Sequence, residues 1–144
     1  MNLYTFGFTK KSAEEFFNIL IKNSVRRIID ARLNNRSQLV GFTKEEDLKY
    51  FLKKISNIEY VYMPQWAPTV EILNGYKKKL ISWEEYEKKY TDILKERNIL
   101  EKLDFSILEN ACLLCSEDKP EHCHRRLLAE YLARHNNSIK IIHL

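Results

Sequence analysis

Short apolar segments alternate with amphipathic helical segments along the chain, and this alternation constrains the fold more than any other feature of the sequence. Parallel strands need a long crossover connection between them, which is usually a helix. The alternation therefore predicts an α/β fold with a mostly parallel sheet of about five strands and helices on both faces. The predicted strands lie at 3–7, 26–30, 59–62, 111–115 and 139–142.

Helix starts are marked by pairs in which a serine or threonine precedes a glutamate by three residues, as in a capping box. Between the third and fourth predicted strands, residues 69–97 indicate two helices, an extra segment that serves as a scaffold or a lid. Proline favours the first turn of a helix, so the last helix is predicted to begin near Pro120. The capping pairs are Ser12 with Glu15, Thr43 with Glu46, and Ser82 with Glu85.

The chain has the size and the apolar content of one domain spanning residues 1–144. Its residues are 44% hydrophobic, which is enough to bury a core. The net charge of +4, from 24 basic and 20 acidic residues, is low for a nucleic-acid-binding protein, so nucleic acid is not the favoured partner. No apolar run reaches the length of about 18 residues typical of a transmembrane helix, and no secretory signal precedes the first strand. We therefore expect a cytoplasmic protein without membrane contact.

The loops that follow the predicted strands hold most of the candidate site residues. Right-handed crossovers place all strand-to-helix loops at one edge of a parallel sheet, and ligands bind outside that edge. Arginine side chains here favour a small anionic ligand, because a guanidinium matches carboxylate and phosphate groups. The candidate ligand-binding residues of the first two loops are Gly7, Thr9, Arg32 and Arg36.

Two carboxylates at this edge are candidate catalytic acids or bases. Asp30 ends the second predicted strand, and Glu117 follows the fourth. One acid and one base are enough for hydrolysis or group transfer. For Asp30 a second role stays open, because a carboxylate beside guanidinium groups is also a structural acceptor. In that role it would fix Arg32, Arg36 or Arg125.

The densest group of reactive side chains lies in the segment CSEDKPEHCHRR at 115–126. Cys115 and Cys123 are candidate nucleophiles, since a helix N-terminus lowers the pKa of a nearby thiol. His124 and Arg125 are candidate ligand-binding residues in the first turns of the last helix, where free N–H groups favour an anion. We expect Arg125 to be held for an anion or for one of the two edge carboxylates. A structural role for Cys115 and His124 as core residues stays open.

Known types of cysteine site fit this pattern poorly. An odd number of cysteines crowded into one segment predicts reduced thiols. Cys112 and Cys115 should face opposite sides of a strand, and Cys123 and His124 should diverge by about 100° on a helix. We therefore predict no zinc site. We also predict no cofactor. His122 and Cys123 begin like the phosphate loop of cysteine phosphatases, but the glycines that let a loop wrap a phosphate are absent.

Several motifs, taken together, resemble those of one known family, called domain of unknown function 488. The resemblance extends along the chain, and it implies a Rossmann-like three-layer domain without an assigned reaction. The segments APT at 67–69 and SWEEY at 82–86 look like a variant within that family. The matching motifs are TFGFT at 5–9, IIDAR at 28–32, LCSE at 114–117 and CHR at 123–125.

Three functions are compatible with these residues. The first is an enzyme, a hydrolase or a transferase, that acts on a small phosphorylated or nucleotide-like anion held by Arg32, Arg36 and Arg125. Asp30 or Glu117 would then be its acid or base. The second is a non-catalytic module that binds nucleic acid or nucleotide through the same edge and through the run of three lysines in the extra helical segment. The third is a protein-interaction domain whose polar network is structural.

Overall fold

Five strands form one sheet in which every neighbouring pair is parallel. A computed structural model of the chain describes residues 1–36, 41–117 and 119–144. The strands are β1 (Asn2–Gly7), β2 (Arg27–Asp30), β3 (Glu59–Tyr62), β4 (Ala111–Cys115) and β5 (Lys140–His143). Their order across the sheet is β3-β2-β4-β1-β5. The predicted parallel sheet is therefore confirmed.

The helices follow the strands in the alternation that the sequence predicts. One π-helical turn, Leu52–Ser56, continues the second helix, and short 3-10 helices occur at Gly41–Thr43, Pro64–Trp66 and Phe105–Leu108. No helix in the described part of the chain combines the length and the low polarity needed to cross a bilayer. The α-helices are α1 (Ala13–Lys22), α2 (Glu45–Phe51), α3 (Val70–Lys77), α4 (Trp83–Glu96) and α5 (His124–Arg134).

Helices cover both faces of the sheet, as in a Rossmann-like sandwich. Neighbouring residues of β1 point to opposite faces, so Leu3 belongs to one apolar core and Phe6 to the other. The core around Phe6 includes Leu20 of α1 and Leu48 of α2. The core around Leu3 includes buried residues of the other three helices. These are Ile72 of α3, Tyr86, Tyr90 and Leu94 of α4, and Leu127, Leu128, Ala129, Tyr131 and Leu132 of α5.

The direction of the chain reverses after β3, and this reversal locates the functional edge. From β1 to β3 the chain moves toward one side of the sheet, and then it returns to β4 and β5. Because crossovers are right-handed, the outgoing helices lie on one face and the returning helices on the other. β4 therefore lies between β1 and β2, although the helix that follows it packs on the other face from the helices that follow its neighbours. In α/β folds, ligands bind outside the carboxyl ends of the strands at such a reversal.

Two of the predicted helix caps are present, and one is absent. The side chain of Ser12 accepts a hydrogen bond at the start of α1, and that of Ser82 does so at the start of α4. Thr43 does not cap α2, contrary to the prediction. It lies in a short 3-10 helix, and Lys44 precedes α2 without a side-chain hydrogen bond to the helix. The carbonyl of Asn35 instead accepts a hydrogen bond from the Glu45 N–H at 2.7 Å.

The last helix begins later than predicted. Pro120 does not open it, because the chain makes a turn there and α5 starts only at His124. Cys123 precedes the helix in an extended conformation, with φ −133° and ψ 141°. Asp118, within the segment 115–126, lies outside the described residues, as do 37–40.

Replacing Ser82 by alanine should lower the free energy of unfolding by about 1 kcal/mol. Ser82 forms a full capping box, in which its hydroxyl accepts from the Glu85 N–H at 3.1 Å and its own N–H donates to the Glu85 carboxylate. Urea denaturation measures the loss. Thr91→Ala, inside the same helix, is the matched control and should not destabilise the protein, since alanine favours a helix interior. Equal effects of the two substitutions would contradict a capping role.

Candidate functional site

The loops after β1 and β4 run side by side at the carboxyl edge of the sheet. The two strands pair up to Gly7 and Cys115. Beyond that pair, the Phe8 N–H donates to the Cys115 carbonyl at 3.3 Å, and the Thr9 N–H donates to the Ser116 carbonyl at 3.1 Å. The Thr9 hydroxyl also donates to the Ser116 carbonyl. Main-chain pairing therefore holds the segment after Cys115 against the first loop.

Gly7 is the point of closest approach between these loops. A Cβ atom at this position would lie 1.4 Å from the carbonyl oxygen of Glu117 and 2.7 Å from Nη1 of Arg125. Arg125 itself is fully buried, and its Nη1 donates to the same Glu117 carbonyl at 2.6 Å. Gly7 therefore admits a main-chain segment and a guanidinium that any side chain would displace.

Asp30 and Arg32 form a buried ion pair at the end of β2. The Nε and Nη2 atoms of Arg32 each donate to one carboxylate oxygen of Asp30, both at 2.8 Å. Arg32 also donates to the Thr43 carbonyl at 2.7 Å, and its guanidinium lies 5.3 Å from the centre of the Phe8 ring. The Tyr60 hydroxyl donates to Asp30 at 2.5 Å. Burial and the adjacent carboxylate raise the pKa of this tyrosine well above its usual value.

This arrangement favours the structural role that the sequence left open for Asp30. Its carboxylate is inaccessible, and both oxygens accept hydrogen bonds from Arg32, with one of them also accepting from Tyr60. Arg32 is likewise directed at internal acceptors. Among the other predicted site residues, Arg36 and Glu117 are exposed and Thr9 is half-buried.

Cys115 and Cys123 form a disulfide, so the prediction of reduced thiols was wrong for these two cysteines. The prediction failed because the spacing of the cysteines does not show that Cys123 lies against Cys115 in the folded chain. Cys112 is a free thiol, and it is buried in the core on the other face of the sheet, as the alternation along β4 requires. Burial raises the pKa of the Cys112 thiol far above its usual value.

His124 lies against the disulfide with a defined orientation. Its Nε2 is 2.9 Å from the Ala31 carbonyl oxygen. Since a carbonyl only accepts, Nε2 carries the proton, and the lone pair of Nδ1 remains. This Nδ1 lies 4.0 Å from Sγ of Cys115. Burial lowers the pKa of His124 to about 4, the hydrogen bond with the Ala31 carbonyl opposes this shift and the charge of Arg125 adds to it, so the ring is neutral near pH 7.

Cys123 and His124 converge on Cys115, whereas the sequence analysis expected them to diverge. The expectation assumed that both residues lie within a helix, but Cys123 is the extended residue that precedes α5. The sulfur atoms of Cys115 and Cys123 and a ring nitrogen of His124 all lie within 4.8 Å of one another. We call these three buried residues the Cys-Cys-His centre.

A family comparison matches most of the chain. The family described as Domain of unknown function DUF488 matches residues 12–132. The chain belongs to this family. The resemblance seen in the sequence is thereby confirmed, and the matched span includes the Cys-Cys-His centre. No curated protein and no solved structure gave a match.

Part of the site lies outside the matched DUF488 span. Gly7 and Thr9 precede residue 12, so the close approach at Gly7 is known from the structure of this chain alone. Asp30, Arg32 and all three residues of the Cys-Cys-His centre lie inside the span. The site is therefore built from DUF488 elements and from a first strand that the family match does not cover.

Aromatic residues of α4 connect this DUF488 site to the protein surface, whereas the sequence analysis described this part of the chain only as a helical scaffold or lid. The Tyr90 ring lies 5.8 Å from that of His124, and Tyr86 follows at 6.3 Å. Trp83 stacks on Tyr86 at 4.6 Å and also contacts the exposed His122 at 4.9 Å. Their helical spacing was visible in the sequence, but the packing of α4 against the site was not.

Proposed function

We propose that the protein is an enzyme whose reactive group is the reduced Cys-Cys-His centre, and that its substrate is a small phosphorylated or nucleotide-like anion. The observation that carries this proposal is the convergence of two sulfurs and a neutral imidazole at the N-terminus of α5. A thiol next to a histidine nitrogen is the arrangement that nucleophilic or group-transfer chemistry requires.

The position of Cys123 supports thiolate formation after reduction. The residue immediately precedes α5, where the positive end of the helix dipole stabilises negative charge. The buried guanidinium of Arg125 adds positive charge in the same region. His124 directs Nδ1 toward Cys115, so it is placed to accept the proton of the Cys115 thiol after reduction.

The remaining predicted residues divide into positioning and binding roles under this proposal. Asp30 and Arg32 hold the end of β2, and through the following residue, Ala31, they fix the carbonyl that orients His124. Glu117 is the exposed carboxylate at the edge and would serve as the general acid or base. Arg36 and the N-terminus of α5 would attract the anion.

The test is turnover of phosphorylated metabolites and nucleotides by the reduced protein. Cys123→Ser should lower kcat/KM by at least about 100-fold, because it removes the candidate nucleophile. Cys112→Ser is the matched control, since this thiol is buried on the other face, and it should retain turnover. Retained turnover in Cys123→Ser would contradict the proposal.

The other two functions predict different outcomes in the same assays. A non-catalytic binder of nucleic acid would use the exposed lysines at 77–79, and its affinity would fall steeply with salt while no substrate is turned over. A protein-interaction domain would show neither turnover nor thermal stabilisation by small ligands. Either result would replace the enzymatic proposal.

A further inference from the structure

We propose that the reduced Cys-Cys-His centre binds a single zinc-class divalent metal ion, and that the disulfide is its metal-free, oxidised form. This inference deepens the proposed function, because it assigns a metal to the same reactive group. With the metal bound, Nδ1 of His124 would be a ligand and not a proton acceptor, and the cysteines would react as metal-bound thiolates. Metal uptake is nevertheless measured without turnover, so the two proposals fail independently.

The distances between the donor atoms fit a tetrahedral metal after the disulfide is opened. Zinc bonds of about 2.3 Å to sulfur and 2.0–2.1 Å to nitrogen place neighbouring donor atoms about 3.5–3.8 Å apart. Nδ1 of His124 is already 4.0 Å from Sγ of Cys115, and all three donors lie within 4.8 Å of one another. Breaking the bond between the sulfurs increases their separation toward the distance that a metal requires.

The hydrogen bond of His124 to the main chain is independent support for a metal. Histidine ligands in metalloproteins usually donate their other ring N–H to a carboxylate or a backbone carbonyl, which fixes the tautomer. In this chain the donor is Nε2 and the acceptor is the Ala31 carbonyl, at 2.9 Å. The nitrogen with the free lone pair is therefore the one that faces the sulfurs.

Charge and burial also favour a bound metal in the reduced state. Two thiolates in this buried position would carry two negative charges, which are costly to remove from water unless they are compensated. A divalent ion neutralises them. Thiolate and imidazole donors select zinc over magnesium or calcium. Cys112 is in the opposite core, so the described residues supply three ligands and leave one tetrahedral position for water or substrate.

The change between the two states balances in electrons and protons. A dithiol reductant gives two electrons and two protons to the disulfide and becomes a disulfide itself. The two protein thiols then release two protons to solvent as they bind the metal. No other oxidant or reductant is needed.

The test is titration of the full chain with Co²⁺ and Zn²⁺ after anaerobic reduction and removal of the reductant. Wild-type protein should take up about one Co²⁺ per chain, with the visible absorption of a tetrahedral site and a thiolate charge-transfer band, and Zn²⁺ should displace it. Cys115→Ser, Cys123→Ser and His124→Gln should each weaken binding by at least about 100-fold. Cys112→Ser and His122→Gln, the matched controls, should bind like wild type.

The oxidised wild type provides a comparison that does not depend on any substitution, and it should bind no Co²⁺. Failure of the reduced, folded wild type to develop the thiolate band would overturn the metal site, as would equal uptake by the oxidised protein. Turnover by the reduced protein, together with no thiolate band on addition of Co²⁺, would refute the metal site and leave the proposed function standing. Metal uptake without turnover of any substrate would support the metal site alone.

Discussion

Gly7→Ala should lower the free energy of unfolding by about 3 kcal/mol and shift the urea midpoint accordingly. The new Cβ would lie 1.4 Å from the Glu117 carbonyl oxygen, which is main chain and cannot rotate away. Overpacking of this kind costs about 1–3 kcal/mol. Moving the Glu117 carbonyl also weakens its hydrogen bond to the buried Arg125, and hydrogen bonds to charged groups contribute about 1.5–3 kcal/mol.

Gly75→Ala is the matched control for this substitution. Gly75 lies within α3, and a Cβ there would meet only the Ile81 side chain, at the ordinary contact distance of 3.5 Å. Alanine is favoured over glycine in a helix by about 0.5–1 kcal/mol, so this variant should be slightly stabilised. If both variants lose stability equally, or if Gly7→Ala is neutral, the described approach of the two loops is wrong.

The fold could be predicted from the sequence because its signals are local and repeated. The strand at 59–62 and the buried strand at 111–115 are bounded in the structure as their apolar patterns predict. Each of the first four strands is followed by a helical pattern, and a parallel sheet is the arrangement with these connections. Residues at the strand ends then had to meet at one edge, and Gly7, Asp30 and Cys115 do lie there.

The inner structure of the site could not be predicted, because it depends on non-local geometry. The contact between Cys115 and Cys123 brings together residues eight positions apart, and nothing in that spacing predicts the contact. Pro120 predicted the start of α5, but Cys123 has an extended backbone and the helix starts only at His124. Because the helix starts later than predicted, the side chains of Cys123 and His124, which were expected to diverge, lie close together.

The partners of Asp30 illustrate the same limit. Arg32 is two residues away, so a pair with Asp30 could be predicted from the sequence. The hydrogen bond from Tyr60 depends on the register of β2 and β3, in which Asp30 pairs with Tyr62. The carbonyl of Thr43 that completes the environment of Arg32 belongs to a short 3-10 helix that the sequence did not indicate.

Asp30→Ala should lower the free energy of unfolding by about 3–5 kcal/mol, the larger of the two stability effects. The substitution leaves the guanidinium of Arg32 buried without its carboxylate and removes the acceptor of the Tyr60 hydroxyl. Glu59→Ala is the matched control, because it removes the exposed carboxylate of an ion pair with the half-buried Arg27. Surface pairs contribute at most about 1 kcal/mol.

A double variant separates the cost of an uncompensated charge from the net stabilisation by the pair. In Asp30→Ala with Arg32→Leu neither charge remains, and replacing a buried ion pair by apolar side chains is often neutral. The double variant should therefore be more stable than Asp30→Ala alone, by urea denaturation at pH 7. If it is less stable, the ion pair itself stabilises the fold. If Asp30→Ala lowers the free energy of unfolding no more than Glu59→Ala does, Asp30 is not the structural acceptor that its hydrogen bonds indicate. A catalytic role is then the better explanation for Asp30.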